Sequence, residues 1–178
     1  MCAEACLIIF SGATVSGGAP SHLTSTFIHH MIVSGDLQKH IDEVLIPIYT
    51  TRYRALMSAI QTHLLPLGVL VTTGAPYTTP SPTEVVPAGG FFTYISFPAE
   101  LPAAEVIAKR AREEYGLVFA FGEMFVVKGD ESSAKRAKTS FGRGARLCWA
   151  WHESDVIEEG IVRLASLLNV MLEEAKSA

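Results

Sequence analysis

The stretch Phe141-Gly-Arg-Gly-Ala-Arg-Leu-Cys-Trp-Ala-Trp151 decides how the chain is read. From Ala145 onward it is apolar and aromatic and is entered through two glycines, which reads as a strand buried on both faces, with Arg146 inside it. A guanidinium keeps its charge and is costly to bury alone, so Arg146 needs an anionic partner. That partner is either an internal acid, with Glu123 as the candidate, or a substrate. Trp149 and Trp151 alternate along the same run and read as core or interface positions. Downstream, residues 154–177 form an amphipathic terminal helix, with Ser154 as its expected N-cap and Asp155, Glu158 and Glu159 toward its positive end.

Upstream, the period of the pattern changes twice. Residues 1–20 are irregular and rich in Gly and Ser. Residues 21–66 are helical: one helix runs from about Ser21 to Val33 and stops at Gly35, and a second runs from about Leu37 to Leu65. On the second, Ile41, Leu45, Ile48, Arg52, Ala55, Ala59 and His63 mark one face, and Pro47 predicts a kink or restart near Leu45. Residues 67–178 alternate strands and helices. "GVLVTT" reads as a strand, "GAPYTTPSPTEVVPAGG" as a loop and "FFTYISF" as an aromatic strand. "LPAAEVIAKRAREEYG" is a helix with Pro102 in its first turn, Ala104, Ile107, Ala111 and Tyr115 on one face, and Gly116 as its stop. "LVFAF" and "MFVV" read as short strands, followed by a charged excursion. The fold class is therefore α+β: a small, mainly antiparallel sheet with helices packed on one face, preceded by a long N-terminal helix.

Composition restricts the setting. The 178 residues are 49% hydrophobic and only 18% charged, with a mean hydropathy of +0.30. Apolar surface is therefore expected to meet another chain, as a homodimer or with a different partner. A net charge of −4 without an isolated basic run argues against nucleic acid. No apolar run is long enough to span a membrane. Three cysteines without metal-ligand spacing fit reduced thiols, and no basic residue precedes the short N-terminal apolar run, so a soluble cytoplasmic protein is expected.

Several segments recur in a recognisable order: "SGGAPSHLTS", "SGDLQKHIDEVLIPIYTTRYRALMSAI" with its Tyr49-x-x-Arg52, "PAGGFFTYISFP", "EYGLVFAFGEMF" and "ARLCWAW" before an acidic helix start. From about Ser16 onward the chain resembles the fold type I, class I and II aminotransferases, which use pyridoxal phosphate (PLP), and among them the 2-aminoadipate and multi-substrate fungal type. The resemblance implies that Arg146 grips the α-carboxylate of the amino acid, a role that suits a planar bidentate donor. It also implies that the Schiff-base lysine, the aspartate paired with the pyridine nitrogen and the phosphate cluster belong to a large domain upstream. The chain is then a truncated C-terminal domain that does not transaminate alone, and no cofactor is expected in this chain by itself. "SSAKRAKTSFGRG" imitates the PLP lysine and phosphate arginine with Lys135 and Arg143, but it lies where the family has a variable surface loop.

The remaining candidates have bland readings beside the functional ones. Gly17, Gly18, Gly89 and Gly90 join Arg146 as candidate substrate-binding positions, because glycine lets backbone approach a ligand. Gly17-Gly18 forms no dinucleotide fingerprint, and Gly89-Gly90 equally suits a turn into a strand. Glu123 and His22 are the candidate acid or base groups. No metal site is expected, since the histidines lack paired spacing on one helix face. Three functions remain open at this point: a carboxylate-binding aminotransferase domain, a PLP-independent binding, isomerase or cyclase domain for a small carboxylate-bearing molecule, and a structural partner of a full-length homologue.

Overall fold

A computed structural model describes residues 21–73, 77–78, 84–85 and 90–177. The chain divides into two compact units, the first ending at Pro47 and the second beginning at Ile48. In the first unit, the Ser21 hydroxyl accepts a hydrogen bond from the Thr24 N–H at 3.3 Å and opens helix α1 (His22–Val33). Gly35, at φ 80°, ends that run as expected and leads into α2 (Asp36–His40). A π-helical turn, Ile41–Leu45, follows, in which the Ile46 N–H donates to Ile41 O. Helix α3 (Ile46–Ala59) follows directly, with helical dihedrals at Ile46 and Pro47 as its second residue, so the irregularity expected near Leu45 is a π-helical turn and not a restart.

The second unit holds the core. Leu56, Ala59, Ile60 and Leu64 of α3 and its π-helical extension are buried with the sheet and the later helices. The buried stripe is thus rotated from the face expected around Ile48, Ala55 and His63. Of the seven residues on that face only Ala59 is buried, because the aromatic side chains of Tyr49 and Tyr53 turn the helix toward Trp149.

Strand β1 (Leu70–Thr72) begins the sheet, and β2 (Tyr77–Thr78) pairs with β3 (Glu84–Val85) as a short hairpin inside the expected loop. Strand β4 (Phe92–Ser96) precedes α4 (Ala104–Tyr115), which is capped at Ala103, so Pro102 lies just outside it. Ala104, Ile107 and Ala111 are buried on the expected face, and Gly116 closes the helix at φ 65°. Strand β5 (Ala120–Phe121), helix α5 (Glu131–Thr139), strand β6 (Gly144–Cys148) and helix α6 (Ser154–Ser177) complete the described chain. The four-stranded sheet has the order β1-β4-β6-β5 and is antiparallel throughout. With side chains of α3, α4 and α6 gathered in one core with those of β4 and β6, this is the α+β architecture read from the sequence.

Three local expectations give way. "MFVV" is not a strand: Gly122–Phe125 is a 3₁₀ turn, and the Val127 N–H donates to the Ser133 hydroxyl at 3.0 Å instead of to a neighbouring strand. Ser154 is not a cap but the first residue of α6, and Glu153 O accepts the Ile157 N–H at 3.0 Å. The strand containing Arg146 is not buried on both faces and ends at Cys148, short of the tryptophans. Ala145 and Leu147 point into the core with Thr93 and Ile95 of β4, whereas Arg146 is half-buried and Cys148 exposed. Trp149 is buried just past the strand, but Trp151 is 82% exposed and contributes nothing to the core.

Candidate functional site

Two-residue alternation places Phe92, Tyr94 and Ser96 of β4 on the sheet face opposite the buried Thr93 and Ile95, with Arg146 and Cys148 of β6 beside them. Register sets Tyr94 and Ala120 directly opposite Arg146 from either side. The guanidinium lies over the ring of Phe92, 4.1 Å from its centroid, and 5.1 Å from that of Phe125. A cation over an aromatic face is attracted to the ring quadrupole, and the hydrogen-bonding edges of the guanidinium remain available. Among the described residues no carboxylate comes within ion-pair distance of Arg146. The proposed internal pair with Glu123 does not form, because the aromatic rings occupy the positions against the guanidinium.

Arg146 lines an open cavity of about 550 Å³ together with Phe92, Phe121, Met124, Lys109 and Arg112. Glu105 and Glu113 line the same cavity, so its wall combines three cations, two carboxylates and apolar side chains, a lining that suits a small molecule with both charged and apolar parts. Glu123 sits just after β5, in the 3₁₀ turn, and its Oε2 is buried without a hydrogen-bond partner. Its field reaches Tyr94. Burial first, and the nearby Glu123 charge second, push the Tyr94 phenol above its ordinary value of 10.0. The Tyr94 hydroxyl donates to the carbonyl oxygen of Phe141.

This coupling gives a pH test. A phenol whose pKa is raised by folding leaves stability intact below the unfolded value of 10.0 and removes it as pH rises through the folded value. Alkaline urea melts should therefore show a loss above pH 10 that Tyr94→Phe flattens, while the same substitution costs about 1 kcal/mol at neutral pH through the lost hydrogen bond. An unchanged alkaline limb in Tyr94→Phe would contradict the assignment.

The other predicted site residues are placed as follows. Gly90, at φ 76°, lies in the bend before β4. Gly17, Gly18 and Gly89 lie outside the described residues. His22 is the exposed first residue of α1, in the first compact unit. Lys135 is exposed on α5. Arg143 is committed to backbone: its Nη2 donates to the carbonyl oxygens of Pro98, Ala99 and Leu101 at 3.0, 3.1 and 2.7 Å. An exposed lysine and an arginine whose Nη2 is taken up by three backbone carbonyls do not fit the Schiff-base and phosphate roles that PLP requires.

Sequence reasoning missed Phe92, Phe125 and Tyr94 as the surroundings of Arg146. The alternation in "FFTYIS" could have put Phe92 and Tyr94 on one face, but only strand register brings them to Arg146. It also left Tyr49 and Arg52 without partners. The Tyr49 ring meets those of Phe91 and Trp149 edge-on, with centroids 5.4 and 5.9 Å apart. Arg52 donates to Ala150 O at 2.7 Å and pairs with Glu153.

Comparison with known proteins bears on the fold. No family model matches the chain. An uncharacterized protein of Saccharomyces cerevisiae is 34% identical over 152 residues, which is 84% of this chain and 29% of the yeast protein. The multiple substrate aminotransferase of Thermococcus profundus superposes with a TM-score of 0.59 at 22% identity, covering 81% of this chain and 29% of that one. LysN, the α-aminoadipate aminotransferase of Thermus thermophilus, gives 0.55 at 25% identity, covering 81% and 31%. The kynurenine aminotransferase of Pyrococcus horikoshii gives 0.59 at 27% identity, covering 80% and 28%. The chain thus spans less than a third of the length of each relative it matches.

Proposed function

We infer that this chain, which has the architecture of the C-terminal part of a PLP-dependent aminotransferase, retains that part's capacity to hold an amino-acid carboxylate, with Arg146 as the ligand. One observation carries this reading: a half-buried guanidinium with no carboxylate among the described residues within ion-pair distance, held over Phe92 at the wall of an open cavity. Two parallel N–H donors can take both carboxylate oxygens and fix the orientation of the attached carbon, which is the contribution that binding makes to reactivity at that carbon. The chemistry beyond recognition belongs to groups outside the described site.

Thermal melts with 2-aminoadipate or glutamate test the reading. Ligand at one hundred times its dissociation constant should stabilise the protein by about 2.7 kcal/mol. Arg146→Lys keeps the charge and loses the two-pronged geometry, so most of that gain should vanish while the unliganded melt stays nearly unchanged. A wild type indifferent to every small carboxylate, with a substitution that alone unfolds the protein, would overturn the proposal.

A second reading rests on a different observation. Phe92, Met124, Phe125 and Val127 are all substantially exposed. In that reading these side chains are covered by a partner chain, a second copy or a longer homologue, and the protein serves as a structural subunit.

A further inference from the structure

Tyr49 and Arg52 of the Tyr49-x-x-Arg52 motif lie one helical turn apart on α3 and contact residues that flank β4 and β6, the strands of the Arg146 site, at the same end of each. Arg52 reaches the segment after β6. Its Nη1 donates to Ala150 O at 2.7 Å and its Nη2 pairs with Glu153. The side chain is only 14% exposed, and its Nε is buried without a partner. The guanidinium, held by the carbonyl of Ala150 and by the carboxylate of Glu153, which is itself largely exposed, ties α3 to the backbone that follows β6. Tyr49 reaches the start of β4: its ring packs edge-on against Phe91 and against Trp149. Trp149 and Phe91 are themselves joined, the Trp149 N–H donating to Phe91 O at 3.2 Å. Tyr53 adds a second edge-on contact to Trp149.

The residues next in line are the site itself. Phe92 follows Phe91 and pairs in register with Cys148, which precedes Trp149. The ring of Phe92 is the surface on which the Arg146 guanidinium rests. We propose that Arg52, with Tyr49, is a positioning residue for Arg146: it pins the ends of β4 and β6 so that the Phe92 ring stays under the guanidinium. Without it, the pleat at this end of the two strands can shift, and a shift there moves the ring away from the guanidinium without touching the helical core. The inference rests on the reading of Arg146 as a carboxylate ligand for its functional meaning, but its first test needs no carboxylate.

That test is the side-chain Nε–H resonance of Arg146 in ¹⁵N-labelled full-length chain, assigned by its disappearance in Arg146→Lys. Lying over a ring face, it should be displaced upfield from the exposed arginines. In Arg52→Met it should move toward them, while the amide resonances of α4, and of α6 beyond its first turn, stay in place. Glu153→Gln, which weakens the hold on Arg52 but leaves the Ala150 bond, should move it part of the way and supplies the answer if Arg52→Met does not fold. An Arg146 resonance unmoved in the folded variants overturns the proposal. Titration with 2-aminoadipate gives a separate result. Binding to Arg52→Met should be about tenfold weaker than to the wild type, and undiminished binding would also overturn the proposal. A wild type that binds no carboxylate overturns the carboxylate reading instead, and the resonance shift then still decides whether Arg52 positions Arg146.

Discussion

Replacing Arg143 with methionine should lower the stability of the unliganded protein by about 2–4 kcal/mol, although a search for a phosphate ligand in the sequence would have singled out the same arginine. Its guanidinium donates to three carbonyl oxygens, those of Pro98, Ala99 and Leu101, and so closes the turn between β4 and α4. Its own carbonyl accepts the Phe97 N–H at 2.9 Å, which ties the entry of β6 to the exit of β4. Hydrogen bonds from a charged donor contribute about 1.5–3 kcal/mol each, but three on one side chain do not add, and Ala99 O can turn to water. Urea melts of Arg143→Met and Arg146→Lys compared side by side give the contrast: a large loss for the first and little for the second. Equal losses would mean that both arginines serve only the fold.

Gly122→Ala should cost about 3 kcal/mol or more, the larger part of it as strain and not as lost contact. A Cβ on Gly122 would run into the carbonyl oxygen of Phe141, 2.8 Å from the Gly142 carbonyl carbon and 2.7 Å from the Tyr94 hydroxyl. Two of these neighbours are backbone and cannot swing aside. Relief would require the 3₁₀ turn to lift from β6, carrying Glu123 and Phe125 away from Tyr94 and Arg146. Gly129→Ala is the control. At φ 82° it is strained by handedness, but nothing lies within 4 Å, and about 1 kcal/mol is expected. Thermal denaturation of the pair separates crowding from backbone preference. A Gly122→Ala protein as stable as Gly129→Ala would show that the junction is looser than described.

The sequence showed what local chemistry controls. The α4 face of Ala104, Ile107 and Ala111 was legible because apolar period and cap agree, and the stop at Gly35 because few residues other than glycine accept that φ. "MFVV" misled because its β-branched and aromatic residues carry strand propensity, while the deciding fact, Ser133 supplying the acceptor for Val127, lies on a helix further along. Arg146 was legible as an arginine needing an explanation. Its surroundings were not, because Phe92 reaches it through strand register and Phe125 through a turn that the pattern did not reveal. The order of motifs carried the family likeness, and it did so although none of them singly specifies a site.

The position of β6 in the sheet has a consequence for how the protein comes off the ribosome. It pairs on one edge with β4 and on the other with β5, both made earlier, and it is the last strand among the described residues to be synthesised. Until it emerges, β4 has only the short β1 beside it and β5 has no ladder to join, so two unpaired edges wait in a chain rich in apolar side chains. Closure of so many distant pairings in one late step raises contact order and slows folding. During that interval the nascent protein is exposed to misassembly with its neighbours, and chaperone capture before residue 144 is translated is the expected safeguard.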